Sequence, residues 1–490
     1  MEKRSIIINF FKKHKLFLII LLIFFITATF NLNKELFIDW DECLYSVYPW
    51  EMKKNNNYLV NQWNSYIDLQ KPPLYSWLLQ IPFLFGKNEF FPRLLSLIAS
   101  SLILATIYFF SYYRFSRLTG LLSFFFILFS DIFLFYSQKL NTDIFFTLFI
   151  LLGFVFWQKK SNLIFTIFSG IFFGLAVMVK GLSVFPFLLL IFLTCLLQPK
   201  CERLVAFLIF ISTFLLITLP WHLLTWLNYK TDFIMVYLIE NLIQRSRYPI
   251  EFHFGGRRYY FEILFKQYHF WLAFIFYYFY FFLKSRKKIS KKIIKEELSL
   301  TIFFFFFLPL LFFTLAKTKI SWYLMPIYPF LSLFLAISLT QFIKNKPFFV
   351  KKFLIIILII GVLLNAKKHL IHERKNISPR NEIALRIRDI KDGSLNYLVP
   401  QYERTAKILL DQSPHLKIRS TFIYGGNPCM VYYSEKKVFY FYSINEFMKA
   451  LKPNQLFLVE NNDLPLFKDW PIRLIHQNKE FTLFKLKTNL

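Results

Sequence analysis

The sequence predicts an α-helical polytopic membrane protein of about eleven spans with a small α/β domain toward its C-terminal end. Three observations carry that expectation. Hydrophobic residues fill 56% of the 490 positions and aromatic residues 21%, with 67 Phe against only 12 Gly. A water-soluble chain of this length has too little interior to hide so much apolar surface, so lipid must cover much of it. Apolar runs recur along the first three quarters of the chain, and beyond residue 367 they give way to short strand-like and helix-like pieces.

Runs able to cross about 30 Å of hydrocarbon fall at 15–36, 94–112, 118–137, 143–157, 162–179, 181–197, 204–227, 267–283, 299–316, 322–342 and 350–366. The first follows a basic lead (Lys3, Arg4, Lys12, Lys13, Lys15) and resembles a signal peptide. It has no small-residue cleavage site and many spans follow, so it reads as an uncleaved anchor. The 143–157 run is short, and Lys180 and Gly181 divide the 162–197 stretch.

Charge tests the count. With the N-terminus inside, the inside loops carry Arg114 and Arg117, Lys159 and Lys160, Lys200 and Arg203, "KSRKKISKKIIK" at 284–295, and "KNKPFFVKK" at 344–352. All are basic, as the positive-inside rule requires. Eleven spans and an outside C-terminus fit this alternation; an even number breaks it. The same distribution explains the net charge of +30 without nucleic acid, because the cations sit in short blocks between apolar runs. Among the cysteines Cys43, Cys195, Cys201 and Cys429 there is no CxxC pair and no Cys/His cluster with zinc spacing. A Cys43–Cys429 disulfide is open to the chain in an oxidising compartment, and nothing in the sequence favours it.

The expected organisation is a transmembrane domain over 1–366, with long outside loops at 37–93 and 228–266, followed by an extracytoplasmic α/β domain over 367–490. In that tail "LNYLV" at 395–399, "VFYFY" at 438–442 and "QLFLVE" at 455–460 alternate with "RNEIALRIRDIK" and "INEFMKAL", a pattern of strands and helices. It has no Gly-rich phosphate loop and no nucleophile elbow, so no chemistry is expected of it.

Polar residues near span ends collect on the outside face: Asp39, Asp41, Glu42, Lys71, Asp143, Lys180, His222, Glu240, His253, Lys317 and Lys319. Ionisable groups near a membrane are functional candidates by default. Acids mixed with cations suit a carboxylate general base beside groups that stabilise an anionic leaving group. The loop "YIDLQKPPLYSWLLQIPFLFGKNEFFPRLLS" at 66–96 is amphipathic, and Pro72–Pro73 stiffens the backbone after Lys71. Asp39 is the rival base, with helix capping as its structural role. Asp143 can bind acceptor or cap the span that starts beside it, and His222 in "PWH" reads as a hydrogen-bonded residue at a span end.

The series "DECLY", "KPPLYSWL", "FGKNEFFPRLLS", "KLNTDIFFTLF", "GLAVMVKGLSVFPFLLL", "LPWHLLTW", "YLIENLIQR" and "AKTKISWYLMPIYPFLSLFLA" runs in order over most of 37–336. It resembles the GT-C membrane glycosyltransferases that use polyprenyl-phosphate sugars, the superfamily of protein O-mannosyltransferases and aminoarabinose transferases, with the aminoarabinose branch the nearer. The resemblance implies a hexosyl- or pentosyltransferase of the cell (inner) membrane, with the active face outward. It implies Asp41 as general base with Glu42 in support, Asp143 as the second outside Asp, and Lys71 and Lys180 near the donor phosphate. Lys319 and Tyr323 match the family's lysine-rich stretch, and Arg257 and Arg258 lie beside His253, the match to a loop histidine and a candidate metal ligand. The implied partners are a polyprenyl-phosphate sugar, the bilayer, and an envelope lipid, glycan or protein as acceptor; no nucleic acid is expected.

The departures are specific. Gln70 stands where the aminoarabinose transferases carry a Glu that helps bind a metal, and a neutral amide is a poor metal ligand. Cys43 and Leu44 replace an Arg, and their Glu-His reads Glu240–Asn241. The resemblance leaves a divalent metal open as a cofactor, with Gln70 standing in place of an acidic ligand. The competing expectation is a carrier or flippase for an anionic lipid or small molecule, which shares the spans and charges but should place them near the bilayer midplane on broken, repeated helices.

Overall fold

The computed structural model describes residues 2–37, 39–159, 162–196, 200–285, 293–370, 377–391, 393–412 and 426–487. Lys160, the basic run from Arg286 onward, and the side chains of Lys3, Arg4, Asp39, Lys200 and Arg203 lie outside the described residues. The chain forms two compact units: Met1–Leu32, Phe90–His222 and Gly255–Glu373 make one, and Asn33–Glu89, Leu223–Phe254 and Arg374–Leu490 the other.

The first unit is helical, and among the described residues each of the eleven apolar runs lies wholly or mostly on helix. By length and composition six stretches among the described residues can cross a membrane: Phe90–Arg114, Leu163–Leu196, Leu204–Arg247, Glu297–Leu315, Ser321–Ile343 and Phe348–Leu370. The protein is an integral membrane protein. The two runs on either side of Lys180 are one 34-residue stretch, because a 3₁₀ turn at Gly181–Val184 carries helix Leu163–Lys180 into Phe185–Leu196. The 118–137 run is instead broken into Arg117–Ile127 and Asp131–Tyr136, where Ser130 Oγ accepts from Phe133 N at 3.1 Å and caps a new helix.

Apolar composition alone does not say which helices sit inside. Helix Tyr328–Ile343 is wrapped by protein, with 89% of the Ser321–Ile343 window buried, against 11% for Phe348–Leu370. The former therefore forms the middle of the unit, and the latter presents its apolar side chains to lipid. Phe154, Phe305 and Phe330 meet at 4.7–5.1 Å between ring centroids around that central helix, in tilted and edge-on contacts that aromatic quadrupoles favour.

The second unit begins with helix Asp39–Asn55, followed by a hairpin of β1 (Asn61–Trp63) and β2 (Tyr66–Asp68). Its two-residue turn, Asn64–Ser65, has both φ angles positive, at 51° and 68°, the conformation a tight hairpin needs. Helix Leu74–Phe83 follows Pro72–Pro73. The tail is α/β as expected. Its sheet, in the order β4-β3-β5-β7-β6, contains β3 (Ser394–Leu398), β4 (Lys437–Phe441), β5 (Leu456–Glu460), β6 (Ile472–Gln477) and β7 (Phe481–Leu486). β3 pairs in parallel with β4 and β5, and β7 runs antiparallel to β5 and β6. Leu398, Phe447, Phe457, Val459, Phe467 and Phe484 are its fully buried core.

Candidate functional site

In the loop-and-tail unit the acids stand at a helix start. Asp41 and Glu42 lie in the first turn of helix Asp39–Asn55, where unpaired N–H groups and the macrodipole favour negative charge. That is a physical reason for carboxylates in so apolar a neighbourhood. Tyr45 is one turn further along, on the Asp41 face. Lys71 Nζ donates to Tyr45 Oη at 2.7 Å and lies 5.1 Å from its ring centroid. The Lys71 backbone is fixed as well: Asn61 Nδ2 donates to its carbonyl at 3.0 Å, and Ser76 Oγ donates to Asn61 Oδ1 at 2.6 Å. Three residues after Tyr45, Tyr48 donates to Asp68 Oδ2, and Gln70 N donates to Asp68 Oδ1 at 2.8 Å. Burial pushes Asp68 above the usual carboxylate range and the Tyr48 phenol well above its own. One helix face thus gathers the segment from Asp68 to Lys71 next to Asp41.

The 234–253 segment adds a cation. Ile234–Gln244 is a π-helix, and such wide turns concentrate at functional sites. Asn241 Nδ2 donates to Val236 O at 2.8 Å and to Gln70 O at 3.4 Å. Arg245 donates to Asn241 Oδ1 at 3.2 Å and to Glu251 Oε2 at 3.1 Å. Burial lowers the His253 pKa first of all; Arg245 acts in the same direction and Glu251 against it. His253 is therefore held toward the neutral imidazole. Among the described residues no group of three or more His, Cys, Asp and Glu could hold a metal ion, and Gln70 is neutral. The described residues here do not fit a metal.

The membrane unit carries the other charges. Asn141 caps helix Thr142–Trp157 through Asp143 N at 2.6 Å, which sets Asp143 in the first turn. Lys180 ends helix Leu163–Lys180. Each charge opposes its own helix dipole, and the two are bonded to each other, with side chains 2% and 8% exposed. The Lys180 ammonium also lies 4.6 Å from the Tyr323 ring centroid. Lys319, in contrast, donates to the carbonyls of Phe313, Thr314 and Ala316 at the end of helix Ile293–Leu315, a cation capping a C-terminus. Burial and Lys317 lower its pKa. A Cβ on Gly255 would stand 2.6 Å from Lys319 Cγ, so this close approach needs the glycine. Arg257 and Arg258 follow it, both exposed, ahead of helix Tyr259–Tyr268.

The reading from sequence alone singled out neither Tyr45 nor Asp68. Tyr45 was discoverable, since it stands four residues after Asp41 on one helix face; Asp68 gives no local signal.

ArnT from Cupriavidus metallidurans, solved bound to undecaprenyl phosphate, superposes with a TM-score of 0.72 over 97% of this chain and 98% of that one, at 13% identity. The chain has the GT-C glycosyltransferase fold. The apo structure of the same ArnT gives a TM-score of 0.69 over 96% and 97% of the two chains, also at 13% identity. The archaeal oligosaccharyltransferase AglB from Archaeoglobus fulgidus, solved with an inhibitory peptide and a dolichol-phosphate, shares the GT-C fold less closely. Its TM-score is 0.51 over 97% of this chain and 75% of that one, at 12% identity. Residues 70–226 match the family model described as dolichyl-phosphate-mannose-protein mannosyltransferase. An uncharacterized protein of Aquifex aeolicus (strain VF5) is 28% identical over 246 residues, and the match spans 46% of this chain and about half of the relative, 47%.

Proposed function

We propose that this chain transfers a sugar from a polyprenyl-phosphate donor to a hydroxyl or phosphate of an envelope lipid, glycan or protein, inverting the anomeric centre, on the outer face of the cell (inner) membrane. The observation that carries the reading is the shared helix face on which Lys71 binds Tyr45 one turn from Asp41. A base for the acceptor and a cation for the departing phosphate are what the reaction needs. The mannosyltransferase family match and the lipid phosphates bound in the ArnT and AglB structures support the donor class.

In this mechanism Asp41 takes the proton of the acceptor hydroxyl as its oxygen attacks the anomeric carbon. The bond from that carbon to the phosphate oxygen breaks, and its electron pair leaves with the lipid phosphate. Lys71 neutralises that charge; Lys180, Arg257 and Arg258 of the membrane unit are donor-phosphate candidates on the resemblance alone. Glu42 supports Asp41, Asp143 and Tyr323 hold the Lys180 ammonium, and Lys319, committed to its carbonyls, orients the turn at Gly255. A positioned base contributes ~10²–10⁴ in rate, and electrostatic stabilisation of the leaving charge can add as much.

The Cys43–Cys429 disulfide supports an oxidising compartment for the loop-and-tail unit, and the basic loops support a cytoplasmic N-terminus. The test is mass spectrometry of polyprenyl-phosphate sugars in cells carrying wild-type protein or Asp41→Asn at equal abundance. Build-up of one such lipid in the variant is the expected result and gives the sugar's mass. Identical profiles, with the donor pool detected, overturn the role of Asp41 and favour a carrier.

A further inference from the structure

The helix that carries Asp41 and Glu42 is tied to the tail at several points along the chain. Cys43, fully buried one residue after Glu42, is bonded to Cys429 of helix Pro428–Ser434 across 386 residues, with Cα atoms 4.9 Å apart. Just ahead of the helix, Phe37 N donates to Tyr433 Oη at 2.6 Å, and Asn381 Nδ2 donates to Phe37 O at 3.0 Å. At the hairpin turn Asn64 exchanges two hydrogen bonds with the Val438 backbone, at 2.8 and 2.9 Å, in the manner of an added strand residue. At the far end of the loop Lys87 pairs with Glu435 at 2.9 Å, and Tyr433 Oη donates to Glu89 Oε1 at 2.9 Å. The start, middle and end of the 37–89 segment are therefore each bracketed by residues 381–438.

We infer that the Cys43–Cys429 disulfide is a positioning link, by which the tail fixes the acid pair and makes transfer depend on oxidation. It rests on the transferase reading for what is positioned. The tail's contribution is then mechanical: its Tyr433, Glu435 and Val438 brace the loop, and the covalent bond, two residues from Asp41, sets the first helical turn. A shift of that turn by about 1 Å is enough to cost a reaction that depends on near-attack geometry. Formation is thiol–disulfide exchange with the disulfide of an oxidoreductase on the oxidising side. Cys43 and Cys429 lose two electrons and two protons as their S–S bond forms, and the donor disulfide is reduced to two thiols. The segment becomes competent only after export.

The experiment uses the full chain in lipid nanodiscs. In the protein as isolated, alkylation should label Cys43 and Cys429 only after reduction. Reduction should then raise hydrogen exchange of the 41–52 amides about tenfold or more, as expected when a locally stable segment opens, and leave helix Thr142–Trp157 unchanged. In cells, Cys43→Ala and Cys43→Ala/Cys429→Ala should accumulate the same donor lipid as Asp41→Asn at equal protein abundance, and to the same extent as each other. Labelling without reduction, unchanged exchange of 41–52, or normal lipids in the cysteine variants while Asp41→Asn accumulates donor would each overturn the inference. If Asp41→Asn itself leaves the lipids unchanged, the transferase reading is the one that fails, and the exchange arm alone decides whether the link positions the helix.

Discussion

The acid and cation of the membrane unit are held by helix ends, whereas those of the loop-and-tail unit are held by turns and cross-links. Asp143 and Lys180 sit at the start and end of two apolar helices, bonded to each other and buried. Each is fixed by elements that form for other reasons. Asp41 also uses a helix start, but Lys71 reaches its side of that helix through a phenol, a proline pair, a hairpin and Asn61. Helix ends give permanence at the cost of two desolvated charges, and the buried pair is mutually neutralised. The loop arrangement keeps its acid and cation one turn apart, which suits groups that must meet a substrate, and it needs the tail to hold it.

The two units should differ most in how they respond to loss of their acids. Asp41→Asn should cut transfer by ~10²–10⁴ while changing stability by about 1 kcal/mol or less, the scale of one charge in a first helical turn. Asp143→Asn should instead destabilise by about 3–5 kcal/mol, because it leaves the buried Lys180 charge without its carboxylate. Equilibrium unfolding in mixed detergent beside a donor-lipid assay separates the two. The paired replacement Asp143→Leu/Lys180→Met should recover much of that stability without restoring transfer. If the double variant stays as unstable as the single, the pair is not the neutralised structural element described here. Asn64→Ala comes next: it strips two hydrogen bonds from the Val438 backbone and should cost about 1–3 kcal/mol, read as faster exchange of the β1–β2 hairpin.

The membrane helices were legible because their cause is local. Apolar runs must be helical in lipid, and the sequence also shows Lys180 and Gly181 dividing one stretch; the cap it offered at the next, Asp143, stands in the first turn, and Asn141 fills the cap position instead. The three strands of the tail were legible for the same reason, whereas the β6–β7 hairpin was missed because "IRLIHQ" and "FTLFKL" read as mixed-polarity segments. The candidate acids and cations could be listed from charge and resemblance. Their partners could not. That Lys71 meets Tyr45, that Lys319 is spent on carbonyls, and that Cys43 finds Cys429 all depend on contacts between distant segments, to which a single chain gives no local clue. The π-helix at Ile234–Gln244 carries no breaker residue and is equally silent in sequence.

A smaller effect sharpens the account of Lys71. Tyr45→Phe keeps the ring under the ammonium and removes only the hydroxyl that accepts from it. The expected loss is about 0.5–1.5 kcal/mol, seen as weaker donor use with the base step intact, and a wild-type response would mean that the ring alone positions Lys71.

The smallest change expected is electrostatic and lies in the 234–253 segment. Protonated His253 is disfavoured by burial and by the Arg245 cation, and favoured by Glu251. Arg245→Leu removes a positive charge, so the imidazolium becomes easier to form and the His253 pKa should rise toward the ordinary histidine range. Glu251→Gln removes the opposing carboxylate and should lower it further. Imidazole resonances followed through a pH titration read both directions. The sign matters more than the size: a neutral His253 adds no cation beside Arg245. A titration in which Arg245→Leu lowers the pKa would show that the histidine faces charges other than these two.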